Sequence, residues 1–344
     1  FKDSAQVEDV RGQRLTGAAN LWRVDLDPGE DVATVLSNFS RRADVEYATP
    51  DYLLYALEET WENDDPTDDG VNDALYTCGT LWGLNNDGTY GSGTPDADID
   101  APAAWHVTMG SPDITVAVID SGVDYNHPDL QNNMWVNTSE QDGTLGVDDD
   151  GNGFIDDIYG YDFANDDGDP MDDHSHGTHV AGTIAAVANN DTGGCSANTG
   201  KGVIGVAPNV KIMDLKFLDA SGSGPTSDAI AALEYAQDHG AKISNNSWSG
   251  GPFTESLYDA IERARQADHI FVAAAGKSGQ DTDSNAAYPA SYDLDNILSV
   301  AATDHNDSPA WFTNYGATSV DLGAPGVDIL STLPDNSYGL LSGT

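Results

Sequence analysis

The stretch Ile-Thr-Val-Ala-Val-Ile-Asp, residues 114–120, is a run of β-branched and small apolar residues that ends in a carboxylate. Similar short runs recur along the chain, separated by segments with an apolar helical stripe. This alternation predicts an α/β fold, a mostly parallel sheet with helices on both faces. In such folds functional side chains gather at the carboxyl ends of the strands. We therefore expect a site near Asp120.

The first part of the chain has a different pattern. Residues 21–57 alternate apolar and polar side chains in two runs around a helix-like segment, which predicts a small α+β unit of β-α-β type. Residues 58–70 are acidic and contain proline and glycine, which is typical of an exposed linker. We expect three parts: a small α+β domain (1–57), a linker with an amino-terminal extension (58–80) and a large α/β domain (81–344).

The chain is strongly acidic, with 58 Asp and Glu against 13 Lys and Arg residues and a formal net charge of −45. This charge repels nucleic acid and anionic membrane surfaces, so neither is expected as a partner. The same charge favours bound divalent cations or a saline habitat. No apolar run approaches the length of about 20 residues that a membrane-spanning helix needs, so no such helix is expected.

A histidine-rich segment carries the second group of reactive side chains. Residues 172–179, Asp-Asp-His-Ser-His-Gly-Thr-His, place His176 at the start of a helix rich in small residues, which let that helix lie close to the sheet. An imidazole fixed there can take the proton of a hydroxyl nucleophile, provided that a buried carboxylate orients its other nitrogen. Asp120 can supply that carboxylate.

The same segment offers an alternative, a zinc-dependent hydrolase. Its candidate ligands are His174, His176 and His179 with Asp172 and Asp173. The spacing argues against this alternative, because the helical zinc motif is His-Glu-x-x-His and this chain has His-Gly-Thr-His.

Four motifs in matching order resemble the subtilisin family of serine proteases. They are Val-Ile-Asp-Ser-Gly-Val-Asp at 118–124, His-Gly-Thr-His-Val-Ala-Gly-Thr at 176–183, Gly-Val-Ala-Pro at 205–208 and the closing Ser-Gly-Thr. The resemblance covers essentially the whole chain. It implies a secreted, monomeric serine endopeptidase that cleaves extended protein substrates, with Asp120 orienting the imidazole and His176 as general base.

Two departures from the family bear on activity. The family's serine directly follows a Gly-Thr like Gly343-Thr344, so residues 1–344 hold no nucleophile and are expected to be inactive. The family's Ala-Ala-Gly-Asn, whose asparagine donates to the oxyanion, is Ala274-Ala275-Gly276-Lys277 here, and loss of that donor costs about 10²–10³ in turnover. These departures leave open a calcium-stabilised pseudoprotease or binding module.

The resemblance also implies a substrate cleft and a propeptide. Ser247-Trp248-Ser249-Gly250 is similar to the edge segment whose backbone pairs with an extended substrate, and residues 274–276 are similar to the opposite wall of the primary pocket. Residues 1–57 are similar to the propeptide, which chaperones folding and inhibits the enzyme. Processing is then expected after Leu57.

Residues 148–157, Asp-Asp-Asp-Gly-Asn-Gly-Phe-Ile-Asp-Asp, resemble the first half of an EF-hand loop. The twelfth position is Tyr159 rather than Glu, so the EF-hand is incomplete, but the density of oxygen ligands favours Ca²⁺. The expected ligands are Asp148, Asp150, Asn152, the Phe154 carbonyl and Asp156 or Asp157. A solvated acidic loop is the alternative.

The resemblance implies a second calcium site that includes Asp129 and Asn190. Cys78 and Cys195 are the two cysteines of the chain, which fits either one disulfide in an oxidising compartment or two unrelated thiols. Because the resemblance places both cysteines near this second calcium site, it implies that they are bonded.

Overall fold

The computed structural model describes residues 12–14, 22–24, 26, 30–42, 45, 70–190 and 202–344. The chain forms two compact units, Phe1–Asp64 and Asp65–Thr344. In the first unit, β1 (Gly12–Arg14) pairs antiparallel with β2 (Trp22–Val24), and α1 (Val32–Phe39) follows. Asp31 caps α1 by accepting from the Thr34 amide at 2.9 Å. The second predicted strand of this unit lies largely outside the described residues.

The second unit is built on a seven-stranded sheet with strand order β4-β5-β3-β6-β7-β8-β9. Every neighbouring pair is parallel. The strands are β3 (Thr115–Asp120), β4 (Gly160–Asp162), β5 (Lys211–Lys216), β6 (Ile243–Asn246), β7 (Ile270–Ala274), β8 (Ile297–Thr303) and β9 (Leu322–Pro325). A separate antiparallel hairpin, β10 (Ile329–Leu333) and β11 (Ser337–Leu341), leads to the carboxyl end.

Helices cover both faces of this sheet. They are α2 (Ala74–Thr77), α3 (Ala101–Val107), α4 (Thr138–Gln141), α5 (His176–Ala185), α6 (Thr226–Asp238) and α7 (Glu255–Gln266). Alternate residues of β3 enter different cores: Ile119 packs in the cluster that contains α6 and α7, whereas Val118 packs in the cluster that contains α5. This arrangement confirms the predicted α/β fold. Within the described part of the chain, no helix is long and apolar enough to cross a membrane.

Small residues bring α5 against the end of β3. A Cβ added to Gly177 would overlap the carbonyl oxygen of Gly122, in the turn that follows β3. A Cβ added to Gly182 would overlap Thr332 of β10. The first residue of α5, His176, is therefore held beside the last residue of β3, Asp120.

Candidate active site

The carboxyl end of β3 and the start of α5 bring two side chains together, Asp120 and His176. The Nδ1 atom of His176 lies 2.7 Å from Asp120 Oδ1. Asp120 is fully buried, whereas the His176 side chain is 31% exposed. The buried carboxylate fixes which nitrogen carries the proton, because Nδ1–H donates to it and leaves Nε2 available as a base.

The pKa of His176 reflects opposing influences. Burial lowers it, but the hydrogen bond and negative charge of Asp120 outweigh burial, so the pKa is raised above its usual value. The ammonium of Lys277 lowers this pKa and the carboxylate of Asp172 raises it. Lys277 is therefore close enough to His176 to act on it electrostatically. Because the pKa of His176 is raised, the neutral imidazole predominates only at a pH above the usual imidazole pKa.

The segment after β7 lies beside the carboxyl end of the chain. The Gly276 amide donates to Thr344 Oγ1 at 3.3 Å. Gly276 has a φ of +106°, which favours glycine, and the amide of Asn314 fills the space of a side chain there. The same Asn314 side chain donates to the Ala275 carbonyl at 2.8 Å. The structure thus fixes the 275–276 backbone, while the Lys277 side chain is exposed.

The predicted substrate edge, residues 247–250, directly follows β6. Trp248 is half-buried, and its ring centroid lies 5.1 Å from that of Phe217 and 6.3 Å from that of Phe271. Ser249 and Gly250 are exposed, and the Gly250 amide donates to the Tyr288 carbonyl at 3.1 Å. At the end of the neighbouring strand β7, on the predicted opposite wall of the primary pocket, Ala274 and Ala275 are buried.

One neighbour of His174 was missed from sequence, the turn at 219–224. An added Cβ on Gly222 would lie 2.9 Å from His174 Nε2. The His174 and His176 rings are in turn 6.4 Å apart. The sequence signal for this turn is its Ser-Gly-Ser-Gly pattern, which is typical of loops in general and does not indicate a site.

The three histidines of the 172–179 segment do not share a metal position. His176 is bonded to Asp120, and His179 Nε2 donates to the Ile329 carbonyl at 2.9 Å. Among the described residues, the one group of three side chains with metal-ligand geometry lies elsewhere, at Glu140, Asp148 and Asp150. The geometry therefore does not support the zinc alternative.

The acidic loop 148–157 surrounds a buried carboxylate that was missed from sequence. Ligand oxygens of Glu140, Asp148 and Asp150 lie within 4.8 Å of one another. Glu140, on α4, is 4% exposed and accepts from the Asp149 amide at 2.7 Å. Such closely spaced carboxylates repel one another unless a cation lies between them, so this donor set fits Ca²⁺.

The other predicted ligands of this loop make the following contacts. The carboxylate of Asp156 accepts from the Gly146 amide at 2.8 Å. Asp157 is fully buried and accepts from Asn152 Nδ2 at 2.9 Å and from the Tyr235 hydroxyl. The Phe154 ring packs against the Tyr235 ring, with centroids 5.0 Å apart.

A further buried acid, Asp73, lies near Asp129 of the second predicted calcium site. Asp129 is 2% exposed and accepts from Asn190 Nδ2 at 2.9 Å and from the Tyr338 hydroxyl at 2.9 Å. Asp73 is also buried, and its Oδ1 has no hydrogen-bond partner among the described residues. Burial and the nearby charge of Asp129 raise the pKa of Asp73 to about 6. An unpartnered buried oxygen beside a second carboxylate fits a bound cation.

The rest of this second site lies outside the described residues, which omit 191–201. Cys195 falls in that range. The predicted disulfide with Cys78, which directly follows the short helix α2, therefore stays a prediction.

Comparisons with known proteins agree on one family. Residues 111–344 match the model of the Subtilase family. The chain is 39% identical over 314 residues to the thermophilic serine proteinase of Bacillus sp. (strain AK1), covering 91% of this chain and 63% of that protein. It is 36% identical over 246 residues to thermitase of Thermoactinomyces vulgaris, covering 72% and 74%. The crystal structure of a cold adapted subtilisin-like serine proteinase has a TM-score of 0.52 at 31% identity, covering 67% of this chain and 69% of that one.

Proposed function

Because the chain belongs to the subtilase family, we propose that it functions as a secreted, calcium-dependent serine endopeptidase in zymogen form, cleaving extended protein substrates as a monomer. The observation that carries the proposal is the 2.7 Å contact between His176 Nδ1 and Asp120 Oδ1 at the carboxyl end of the sheet. The nucleophilic serine of this proposal directly follows Thr344. This position is supported by two contacts: the Gly276 amide donates to Thr344 Oγ1 at 3.3 Å, and the ammonium of the next residue, Lys277, acts electrostatically on His176.

The proposed mechanism uses the dyad as follows. Neutral His176 takes the serine proton on Nε2 as the serine oxygen attacks the substrate carbonyl, and buried Asp120 stabilises the imidazolium that forms. The oxyanion accepts hydrogen bonds from donors near residues 276–277. The imidazolium then protonates the leaving amine, and water hydrolyses the acyl-enzyme by the same base catalysis.

A comparison of two polypeptides tests this proposal. A chain extended through the serine segment should hydrolyse a peptide with leucine before the scissile bond, whereas residues 1–344 alone should not, because no acyl-enzyme can form. The measurement is release of the leaving group under equal protein concentrations. Rapid hydrolysis by residues 1–344 would contradict the triad assignment.

Lys277 favours one alternative function, a calcium-stabilised pseudoprotease or binding module. An exposed ammonium on a flexible stem occupies the position at which the family has a short amide. The alternative predicts that the serine-containing chain still binds the peptide but releases no product above background.

We propose that residues 1–57 are the inhibitory propeptide and that processing follows Leu57, which then occupies the primary pocket. This proposal rests on the family resemblance, because residues 46–69 lie outside the described part of the chain. Amino-terminal sequencing of the matured, serine-containing enzyme should give a start at about Glu58. A start more than a few residues from Glu58 would contradict it.

Chelation is expected to destabilise the protein, because both acidic sites lose the cation that offsets their repulsion. Binding restricted to the folded state adds RT ln(1 + [L]/Kd) to stability, so the melting temperature should rise with calcium concentration and fall in excess EDTA. Asp148→Asn should reduce the calcium-dependent rise, whereas Asp142→Asn, an exposed acid close by in sequence, should not. An unchanged melting temperature in EDTA would count against both sites.

We propose that Cys78 and Cys195 form a disulfide, as expected outside the cell. The bond closes a loop of more than 100 residues, which stabilises the fold by roughly 4 to 5 kcal/mol in the chain-entropy model. Peptide mapping without reduction should recover the two cysteines in one cross-linked peptide. Alkylation of both thiols in the native protein would rule the bond out.

A further inference from the structure

Three buried ionisable side chains hold the turn that follows Asp120. The Ser121 carbonyl accepts from Lys216 Nζ at 2.8 Å, and the Val123 amide donates to Asp214 Oδ2 at 2.9 Å. The Ser121 hydroxyl donates to Asp172 Oδ1 at 2.9 Å. None of these three side chains belongs to the catalytic dyad. Lys216 and Asp214, both on β5, therefore hold the two ends of this turn, and β5 lies next to β3 in the sheet.

The position of this turn sets the geometry of the dyad. The Ser121 amide donates at 2.7 Å to Asp120 Oδ1, the same oxygen that bonds His176. The Ser121 hydroxyl oxygen also accepts from the Gly177 amide at 3.0 Å, one residue after His176. A displacement of the turn would consequently move the carboxylate and the imidazole relative to each other.

Burying the Asp214 side chain is unfavourable to the free energy of folding. It is an acidic residue in the centre of an apolar strand, fully buried, and its Oδ1 has no hydrogen-bond partner among the described residues. Burial raises its pKa well above the usual value, and the carboxylates of Asp172 and Asp162 add to this while Lys216 opposes it. The Tyr125 side chain also lies within reach of its charge. An unmatched buried oxygen destabilises a protein, so packing alone does not explain this residue.

Lys216 completes the arrangement. It is 1% exposed, yet its ammonium donates to Asp173 Oδ1 at 2.7 Å and to the Leu218 carbonyl at 2.8 Å, in addition to Ser121. A buried ammonium with three acceptors is held in one place. It therefore fixes one end of the turn, and Asp214 is the side chain that fixes the other end.

We propose that Asp214 is a positioning residue for the dyad: by accepting the Val123 amide it holds the 121–123 turn on β5 and keeps Asp120 in line with His176 Nδ1. The proposal rests on the proposed function, because it takes Asp120 and His176 to be the catalytic pair. Asp214 acts through the backbone and touches no substrate.

Two variants of nearly the same shape test the proposal. Asp214→Leu removes the acceptor, whereas Asp214→Asn keeps an oxygen for the Val123 amide. The readout is the pKa of the His176 imidazole, followed by NMR in residues 1–344. With the leucine variant this pKa should fall by about 1 pH unit, because the carboxylate that raises it moves out of line. With the asparagine variant it should stay at the wild-type value.

A matched control separates positioning from loss of stability. Asp162 is a buried carboxyl, 2% exposed, on the neighbouring strand β4, and it holds the Ala164 amide at 2.8 Å rather than the 121–123 turn. Asp162→Leu should lower the melting temperature without moving the His176 pKa. An unmoved His176 pKa in Asp214→Leu, or an equal fall in Asp162→Leu, would overturn the proposal. Asp214→Ala replaces the leucine variant if the latter does not fold.

Kinetics of the serine-containing chain give a second readout. Asp214→Leu should lower kcat by about tenfold or more with little change in KM, since small displacements of catalytic groups are costly. Asp214→Asn should retain wild-type kcat, and a loss equal to that of the leucine variant would contradict an acceptor role. If the wild-type extended chain hydrolyses nothing, the proposed function fails, and the NMR measurement still decides the positioning role.

Discussion

Replacement of Asp120 by Asn in a serine-containing chain is expected to lower kcat by about 10⁴, with little change in KM. The carboxylate is fully buried and bonded to His176 Nδ1, so it fixes the tautomer and stabilises the imidazolium. An asparagine amide keeps the shape but removes the charge and permits the wrong tautomer. Steady-state kinetics on the leucine peptide measure the effect.

The same variant has a signature in its pH dependence. Asp120 raises the pKa of His176, so its neutralisation lowers that pKa, and the acid limb of the residual activity should move to lower pH. Asp113→Asn, which changes an exposed carboxylate in the turn before β3, is the control and should match wild type. A loss of less than about tenfold in Asp120→Asn would contradict a catalytic role for this pair.

Features that depend on local pattern could be predicted from sequence. Residues 114–120 indicate a strand because short runs of β-branched residues suit a sheet buried on both faces, and β3 forms there. The glycines at 177 and 182 indicate a helix that lies close to its neighbours, and the structure places α5 so. The same local signals located Asp120 and His176 at the carboxyl end of the sheet.

Features that depend on distant contacts could not be predicted in this way. Glu140 precedes the EF-hand-like loop and has no place in its spacing, and only the fold of α4 brings its carboxylate to Asp148. Asp73 lies far before Asp129 in the sequence, in a segment with no ligand motif. Burial identifies both acids, and burial is a property of the tertiary structure.

The charge of Lys277 affects two parts of the proposed mechanism, proton transfer to His176 and stabilisation of the oxyanion. Its side chain is exposed at the end of the 275–277 segment, and its ammonium lowers the pKa of His176. An ammonium on four methylene groups is less preorganised than a short amide, so its hydrogen bond to an oxyanion is costly to form. The residue therefore favours the neutral base but is poorly suited to hold the oxyanion.

Lys277→Asn in the serine-containing chain is accordingly expected to raise kcat by roughly two to three orders of magnitude, the effect of one oxyanion donor. Because the positive charge that lowers the pKa of His176 is removed, that pKa should rise and the acid limb of kcat/KM should shift to higher pH. Lys277→Met removes both charge and donor, so it should show the same pH shift without the gain in kcat. Equal kcat in the Lys and Asn chains, together with a loss in Lys277→Met, would mean that the lysine is itself a competent oxyanion donor.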